Sequence, residues 1–373
     1  MKPEWRGIVS GAAIPPLPAP GSSPTGPGAN LRHPMAAHTL SRDRDYCRAM
    51  LPRVSRTFAI NIRLLNGGLG EAVRVGYLLC RAADTLEDAW PGSASEIGER
   101  FDLFAAALGS DGAAAVELGR RAARVPVGRP EFDLLTNLAR VLGVYGALAA
   151  PDRESVAACV RTLSSGMRRY ATRAAGRAPL SPYLDDEHEL HDYCWVVAGC
   201  VGVMLTRLFG ARAPAANLAL EHQRLGLAPV VGEALQLTNI LLDWPADVRR
   251  GRCYVPRSWL VEWGLEPTDL VTNRRAGVPE LAARLEALAR LALARVPDYL
   301  DLIPAHHVRF RLFCLWPALW AAASLRHARS DLEFPWGPRR PKLPRGELWG
   351  AALGSLLVAH DARAMRRLYA RQG

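Results

Sequence analysis

Apolar residues recur every three or four positions along most of the chain, which is the spacing of one face of an α-helix. From Ser41 onward only short Gly or Pro stops interrupt this period, and no run alternates as a half-buried strand does. The predicted helices cover residues 41–51, 55–65, 69–89, 95–108, 113–123, 131–148, 152–172, 187–209, 214–227, 229–249, 277–299, 305–327 and 345–370. The pattern therefore predicts an all-α protein.

The N-terminal part of the chain lacks this periodicity. Residues 11–34 are rich in Pro, Gly, Ser and Ala, a composition typical of flexible or disordered segments. We predict a disordered leader over residues 1–40 and one all-α domain over residues 41–373. A second proline-rich segment, residues 334–347, is stiff and cationic and leads into the last predicted helix.

Composition narrows the class of partner. The 373 residues are 49% hydrophobic and 22% charged, which is ordinary for a globular protein, and the net charge of +11 favours an anionic partner. No nucleic-acid partner is expected, because the arginines are spread over many predicted helices and no aromatic stacking module is present. An anionic membrane and phosphorylated substrates stay open.

The cysteines and the apolar runs indicate the cellular compartment of the protein. Seven cysteines are scattered without a CxxC pair, which favours a reducing, intracellular setting over a disulfide framework. No secretory signal is expected, since four prolines break the apolar stretch after Arg6. The longest uncharged apolar runs are too short to span a bilayer. We expect a cytoplasmic protein, and a peripheral contact with a membrane is left open.

Two pairs of aspartates carry the strongest chemical signal. Asp84 and Asp88 are four residues apart and would share a helix face, with Glu87 beside them. Asp243 and Asp247 repeat this spacing on another predicted helix. One such pair alone favours a solvated acidic face, whereas two pairs on separate helices can face each other across a bundle. Mg²⁺ suits them, because it takes carboxylate oxygens and completes its shell with substrate phosphates.

Amides, arginines and a proline surround the second pair. Gln236 and Asn239 precede Asp243 by seven and four residues and share its helix face. Pro245 lies between the two acids and, lacking an N–H, predicts a kink. The arginines available to take the charge of a diphosphate are Arg81, beside the first pair, and Arg249, Arg250 and Arg252, after the second.

Four segments, in this order along the chain, carry a family resemblance: "VSRTFAINIRLL", "YLLCRAADTLEDA", "YCWVVAGCVGVMLTRLF" and "LQLTNILLDWPADVRRGRCYVP". They resemble segments of the squalene and phytoene synthases, which are head-to-head prenyl transferases of the isoprenoid synthase fold. The resemblance covers the chain from about residue 41 to its end. It implies an all-α, single-domain helical bundle around a central cavity.

The resemblance also implies roles for the matching residues. The ligands of Mg²⁺, which would bridge to two prenyl diphosphate substrates, would be Asp84, Asp88, Asp243 and Asp247. The candidate catalytic residues would be Tyr193, near the reacting carbons, and Tyr77 and Arg81, beside the diphosphates. The candidate substrate-binding residues would be Ser55, Arg56, Phe58, Gln236, Asn239 and Arg252. An ordinary core tyrosine is the alternative for Tyr193.

The implied reaction joins two farnesyl diphosphates into presqualene diphosphate and reduces it with NADPH to squalene. The segment "YLLCRAADTLEDA" is more similar to squalene synthases and "ADVRRGRCYVP" to phytoene synthases. Formation of phytoene or dehydrosqualene without NADPH is therefore the alternative, and a non-catalytic scaffold is a remote one, since all four acids are present. A peripheral membrane contact would serve product release.

One residue and one loop bear on the second half of that reaction, the reduction of presqualene diphosphate by NADPH. Leu242 stands where an arginine usually precedes the first Asp of the second motif, and its presence removes one phosphate contact. The basic loop "GPRRPKLPRGE" could meet a phosphate of NADPH. The sequence contains no Rossmann glycine fingerprint, so NADPH use depends on the resemblance.

Overall fold

The computed structural model describes residues 34–371, apart from residues 127, 273–274, 338–339 and 342. The chain divides into two compact units, Met1–Thr39 and Leu40–Gly373. Of the first unit only residues 34–39 are described, and they belong to the first helix, which begins at Pro34 within the predicted leader. The rest of that leader lies outside the described residues, so its disorder stays a prediction.

The described residues form α-helices and contain no β-strand, which confirms the all-α fold. In the first part of the chain the helices are α1 Pro34–Val54, α2 Arg56–Ile62, α3 Gly67–Asp88, α4 Ala94–Leu108, α5 Gly112–Ala122, α6 Pro130–Thr136, α7 Leu138–Gly146 and α8 Ala150–Ala175. Then follow α9 Glu187–Cys194, a π-helical turn Trp195–Gly199, α10 Cys200–Gly210 and α11 Leu218–Arg249. The last are α12 Arg257–Glu262, α13 Asp269–Thr272, α14 Val278–Leu293, α15 Val296–Asp301, α16 Val308–Ser330, α17 Arg345–Val358 and α18 Ala362–Ala370.

Helix α11 is longer than the pattern indicates. The sequence predicts separate helices over 214–227 and 229–249, but the structure has one helix that contains Pro229 and Pro245. Packing against α10, α14 and α16 stabilises α11 where each proline removes a backbone hydrogen bond. The helix therefore continues through Pro245 and carries the second pair of aspartates one turn apart.

Three predicted helices are each divided in the structure. One of them, residues 131–148, is divided between α6 and α7 at Asn137. Residues 345–370 form α17 and α18, because Asp361 caps α18 by accepting a hydrogen bond from the N–H of Ala364 at 2.9 Å. Residues 277–299 are divided between α14 and α15, and Pro297 lies in the first turn of α15. Local capping residues thus interrupt periods that are otherwise continuous.

Two large buried clusters meet at the centre of the bundle. One joins helices α1 to α8 with parts of α10 and α16, and the other joins α9 to α16 with α18. Val197, Phe310 and Cys314 pack against both clusters. Val197 and Cys314 also line a cavity at this junction, so the fold is a helical bundle around a central cavity, as predicted.

Glycine allows helices α10 and α11 to approach closely beside that cavity. A Cβ atom on Gly202 would lie 2.2 Å from the carbonyl oxygen of Ala228, and one on Gly232 would lie 2.3 Å from that of Ala198. No larger residue fits at such distances without a backbone shift. The small residues of "VVAGCVGVM", residues 196–204, therefore bring the helices together at the cavity wall.

Among the described residues, two helical segments are long and apolar enough to span a membrane: Glu187–Gly210, with mean hydropathy 1.5, and Leu218–Arg249, with mean hydropathy 1.4. In their most apolar windows, 50% and 56% of the residues are buried inside the protein. Length and composition do not distinguish such segments from the core helices of a bundle. Both segments carry candidate site residues.

All seven cysteines of the chain are free, so the structure contains no disulfide between them.

Candidate active site

A cavity of about 300 Å³ lies between helices α2, α3, α8, α10, α11 and α16. Most of the side chains that line it are apolar. Arg81 and Asp84 enter its lining from α3, and Gln236 and Asn239 enter it from α11. The cavity therefore unites residues from the two acidic helices that the sequence predicts.

Helix α3 presents Tyr77, Arg81, Asp84 and Asp88 at successive turns of one face. The guanidinium of Arg81 contacts the carboxylate of Asp84, and its Nη2 donates to Oε1 of Glu131 on α6 at 3.0 Å. Burial raises the pKa of Asp84, and the charges of the neighbouring arginines oppose that shift. Arg81 is thus held between two carboxylates at the wall of the cavity.

Arg252 connects the end of α3 to the turn that follows α11. Its Nη2 donates to the backbone carbonyls of Glu87, at 3.0 Å, and of Asp88, at 2.8 Å. Its guanidinium also contacts the carboxylate of Asp88. These contacts bring the turn after α11 to the C-terminal end of α3; of the four aspartates, Asp84 is the one that lines the cavity.

Each aspartate of the second acidic pair contacts an arginine, and the two arginines belong to different segments of the chain. Nη1 of Arg340 donates to Oδ2 of Asp243 at 2.7 Å, and its Nη2 donates to Oδ1 of Asn239 at 3.3 Å. Asp247 contacts Arg250, one turn away. Burial raises the pKa of Asp247 to about 6, although its hydrogen bond to Arg250 acts in the opposite direction.

The four aspartates fit the donor chemistry of Mg²⁺, which binds carboxylate oxygens. Each of them contacts an arginine, in the pairs Asp84–Arg81, Asp88–Arg252, Asp243–Arg340 and Asp247–Arg250. Among the described residues no three His, Cys, Asp or Glu side chains converge as a preformed metal cluster. The assignment of Mg²⁺ ligands therefore stays a prediction, supported by the donor chemistry of the four carboxylates.

The start of α2 closes the cavity beside α3. Ser55 caps this helix, since its Oγ accepts a hydrogen bond from the N–H of Phe58 at 3.2 Å. The rings of Phe58 and Tyr77 are 5.5 Å apart, and both line the cavity. Arg56 is exposed in the first turn of α2 and does not belong to the cavity lining.

Tyr193 lies in a buried group of tyrosines rather than in the cavity lining. Its ring stacks on Tyr254 at 5.2 Å and meets Tyr170 edge-on at 5.2 Å. Burial and the charge of the nearby Glu87 carboxyl raise the pKa of Tyr193 well above its ordinary value. The π-helical turn Trp195–Gly199 begins just after it. A catalytic role for Tyr193 stays a prediction.

Several residues at the site were not found by sequence reasoning. Glu131 is fifty positions from Arg81 and no local pattern marks it. The sequence indicates Arg340 only as one of several basic residues in the loop "GPRRPKLPRGE". The sequence places Glu87 beside the first pair of aspartates on one helix face, but Glu87 is buried, which was not predicted, and burial and the charge of Asp84 raise its pKa to about 8. The sequence signal for this burial was the position of Glu87 on the inward face of α3.

Comparison with known proteins relates the chain to one family. The family model of squalene/phytoene synthases matches residues 51–347, a range that contains every candidate site residue. The 15-cis-phytoene synthase of Synechococcus elongatus is 27% identical over 295 residues, which are 78% of this chain and 83% of that enzyme. The squalene synthase of Homo sapiens is 29% identical over 295 residues, which are 78% of this chain and 65% of the human enzyme.

A solved structure shows the same fold. TcSQS in complex with the ligand BPH1237 has a TM-score of 0.70 at 22% sequence identity, over 89% of this chain and 90% of that chain. This likeness confirms the predicted isoprenoid synthase fold. Phytoene and squalene synthases resemble this chain to nearly the same degree, so the comparisons do not distinguish between the two products.

Proposed function

The chain belongs to the squalene/phytoene synthase family, and we propose that it condenses two farnesyl diphosphates to presqualene diphosphate and reduces this with NADPH to squalene. One observation carries the proposal. Asp84 of α3 and Asn239 of α11 line the same apolar cavity, and arginines lie against the acids of both helices. This combination suits a substrate that has a doubly charged head and a hydrocarbon tail.

The charged end of the cavity would bind the diphosphates. Mg²⁺, held by the four aspartates, would supply electrostatic stabilisation of the leaving diphosphate. Arg81 and Arg340 contact aspartates of the two helices and offer N–H donors that match phosphate oxygens. Arg81, which is held by side chains of two helices, would stabilise the charge that develops as the allylic C–O bond breaks and its electron pair leaves with the diphosphate.

The apolar part of the cavity would protect the carbocation formed by that ionisation. Phe58 and Tyr77 line the wall next to Arg81 and Asp84, and an aromatic face attracts a nearby cation. The remaining lining is mostly aliphatic, so it offers few groups that hold water close to the cation. Exclusion of water favours attack by the second prenyl chain over hydrolysis.

The depth of the cavity supports farnesyl chains over longer ones. Val73 and Asp84 both line it and are eleven residues apart on α3, as are Ala228 and Asn239 on α11. At 1.5 Å per residue each wall is about 16 Å long. An extended farnesyl chain is about 14 Å long and a geranylgeranyl chain about 19 Å, as estimated from C–C bond lengths.

The use of NADPH is the most specific part of the proposal. Arg340 brings the basic segment 334–347 to Asn239 and Asp243, where it could also meet a nucleotide phosphate. Leu242 is fully buried, so the position that usually carries an arginine contributes no charge at the cavity. A phytoene or dehydrosqualene synthase that needs no NADPH is the second candidate, favoured by the likeness to phytoene synthases.

Product analysis tests the proposal. Purified protein is incubated with farnesyl diphosphate and Mg²⁺, with and without NADPH, and the extract is analysed by gas chromatography–mass spectrometry. We expect squalene only when NADPH is present. Dehydrosqualene, or phytoene from geranylgeranyl diphosphate, would select the second candidate, and the absence of any product from both substrates would contradict an enzymatic role.

A further inference from the structure

Arg249 differs in its partners from the other arginines that the sequence offers for the charge of a diphosphate. Arg81, Arg250 and Arg252 each contact an aspartate. The guanidinium of Arg249, the last residue of α11, instead donates to backbone carbonyls of three segments of the chain. The structure thus gives this arginine neutral acceptors in place of a carboxylate.

The bonds of Arg249 occupy both terminal nitrogens of its guanidinium. Nη1 donates to the carbonyl of Pro245 at 2.9 Å and to that of Gly337 at 3.1 Å. Nη2 donates to the carbonyl of Trp336 at 2.5 Å and, over a longer 3.5 Å, to that of Val271 on α13. Each of these nitrogens carries two hydrogens, so all four terminal N–H groups are engaged. Binding of a phosphate by the same donors would require the carbonyls to release them.

Two of these bonds attach the proline-rich segment 334–347 to the end of α11. They are accepted by the carbonyls of Trp336 and Gly337, near the start of the segment. Phe334 and Trp336 also pack against the buried cluster that joins α9 to α16 with α18, and Gly337 is buried. The start of the segment is therefore held by hydrogen bonds to Arg249 as well as by apolar contacts.

The same segment meets α11 a second time, at Arg340. This residue contacts Asn239 and Asp243, which precede Arg249 by ten and six residues. Six residues of helix are about 9 Å long. Three residues of chain lead from Gly337 to Arg340 and span at most about 11 Å. The two lengths match, so fixing Gly337 at the end of α11 keeps Arg340 beside Asp243.

We propose that Arg249 is a positioning residue for Arg340, because its bonds to residues 336–337 hold the segment so that Arg340 faces Asn239 and Asp243. The inference rests on the proposed function, in which Arg340 offers its N–H donors to a diphosphate. Loss of the bonds lets the segment take other positions and lowers the fraction of molecules in which Arg340 is ready to bind. Arg249 thus acts on affinity, through Arg340, and does not itself touch the substrate.

Hydrogen exchange tests the attachment without any substrate. The wild type and Arg249→Gln are compared by mass spectrometry of peptides that cover residues 334–347. We expect the amides of this segment to exchange at least about tenfold faster in the variant, because the bonds to residues 336–337 are lost. Arg329→Gln is the matched control and should exchange as the wild type does, since Arg329 is 69% exposed and pairs with Glu286.

A double-mutant cycle tests the action through Arg340. Affinity for the non-reacting analogue farnesyl thiodiphosphate is measured with Mg²⁺ for the wild type, Arg249→Gln, Arg340→Gln and the double variant. We expect each single variant to bind about threefold to tenfold more weakly, and the double variant to bind about as weakly as Arg340→Gln alone. Arg249→Lys keeps the charge but lacks the fork of donors, so it should bind as weakly as Arg249→Gln.

The other outcomes contradict the positioning role. The proposal is wrong if exchange in residues 334–347 is unchanged in Arg249→Gln, or if that variant binds the analogue as tightly as the wild type. Losses that multiply in the double variant, or full affinity in Arg249→Lys, would show that Arg249 acts on the diphosphate by its own charge. A wild type that binds no analogue would contradict the diphosphate site and the role of Arg340 together. Wild-type protein that binds the analogue but forms no product from farnesyl diphosphate would remove the proposed reaction and leave the positioning role intact.

Discussion

The two acidic helices hold their carboxylates by different means. On α3, Arg81 lies between Asp84 and Glu131, so its position is fixed by side chains of two helices in the bundle. On α11, Asp243 is paired with Arg340, which comes from the proline-rich segment before α17. One half of the site is built into the core of the fold, and the other is completed by a connecting segment.

This difference predicts different kinetic roles for the two halves. Groups held rigidly by the bundle can stabilise charge as it develops, which affects kcat. A group on a connecting segment contributes to binding in the ground state and the transition state alike, which affects KM. Substitutions on the two sides should therefore separate into two classes, and the following experiments either break or sharpen this comparison.

The largest effect is expected from the acids themselves. Asp84→Asn removes a carboxylate that lines the cavity and should lower turnover of farnesyl diphosphate at least about 100-fold, because it removes one proposed ligand of the Mg²⁺ that would balance the charge of the leaving diphosphate. Initial rates at saturating Mg²⁺ measure the effect, and circular dichroism checks the fold. Turnover equal to that of the wild type would exclude Asp84 from the site.

Glu131 should have the next largest effect. Glu131→Gln keeps the shape of the side chain but weakens its hold on Arg81, so we expect kcat to fall about tenfold with little change in KM. Glu71→Gln is the matched control, since Glu71 forms the same kind of pair with Arg44 at 2.6 Å, and Arg44, unlike Arg81, does not line the cavity. Equal losses in both variants would indicate a general effect on stability.

A smaller effect, of the opposite type, is expected at Arg340. Arg340→Gln should raise KM for farnesyl diphosphate about threefold to tenfold and leave kcat nearly unchanged, because the lost contact belongs to binding. Arg329→Gln serves as the control, since Arg329 is 69% exposed and pairs with Glu286. A fall in kcat at constant KM would contradict the distinction between the two halves.

The smallest effect concerns the attachment of α9 to α11. A hydrogen bond to Glu233 raises the pKa of His191 above its ordinary value of about 6.5. The pair stabilises the folded protein fully below that ordinary value, and the gain is lost as the pH rises through the pKa of the folded state. We expect a loss of about 1 kcal/mol or less in the free energy of unfolding.

Urea titrations at about pH 6 and about pH 9 measure this loss. Other groups also titrate over that range, so the informative quantity is the difference between the wild type and Glu233→Gln. The variant should lack the part of the pH dependence that comes from the pair. Identical pH dependence in both proteins would show that the contact contributes no stability.

Much of the fold was predictable because the apolar period is regular. The helical class, the positions of α3 and α11 and the spacing of their aspartates all follow from local sequence. The continuity of α11 was not predictable, because packing on several sides of the helix outweighs the local effect of Pro229. The division of the last predicted helix depends on one capping residue, Asp361, within an uninterrupted apolar pattern.

The site was predictable where its residues lie close together in sequence. The pairs Asp84–Asp88 and Asp243–Asp247 carry a spacing that can be read directly. Glu131 could not be found in this way, because its meeting with Arg81 depends on how α6 packs against α3. The burial of Tyr193 among other tyrosines likewise depends on three-dimensional packing, since Tyr254 lies on a separate segment.

The central claim is that both acidic helices serve one diphosphate-binding site, and a binding measurement tests it most directly. Isothermal titration with farnesyl thiodiphosphate, a non-reacting analogue, is carried out with and without Mg²⁺ on the wild type, Asp84→Asn and Asp247→Asn. We predict two analogues per chain, binding that requires Mg²⁺, and loss of affinity in both variants. Binding that is independent of Mg²⁺, or that either variant retains in full, would contradict the claim.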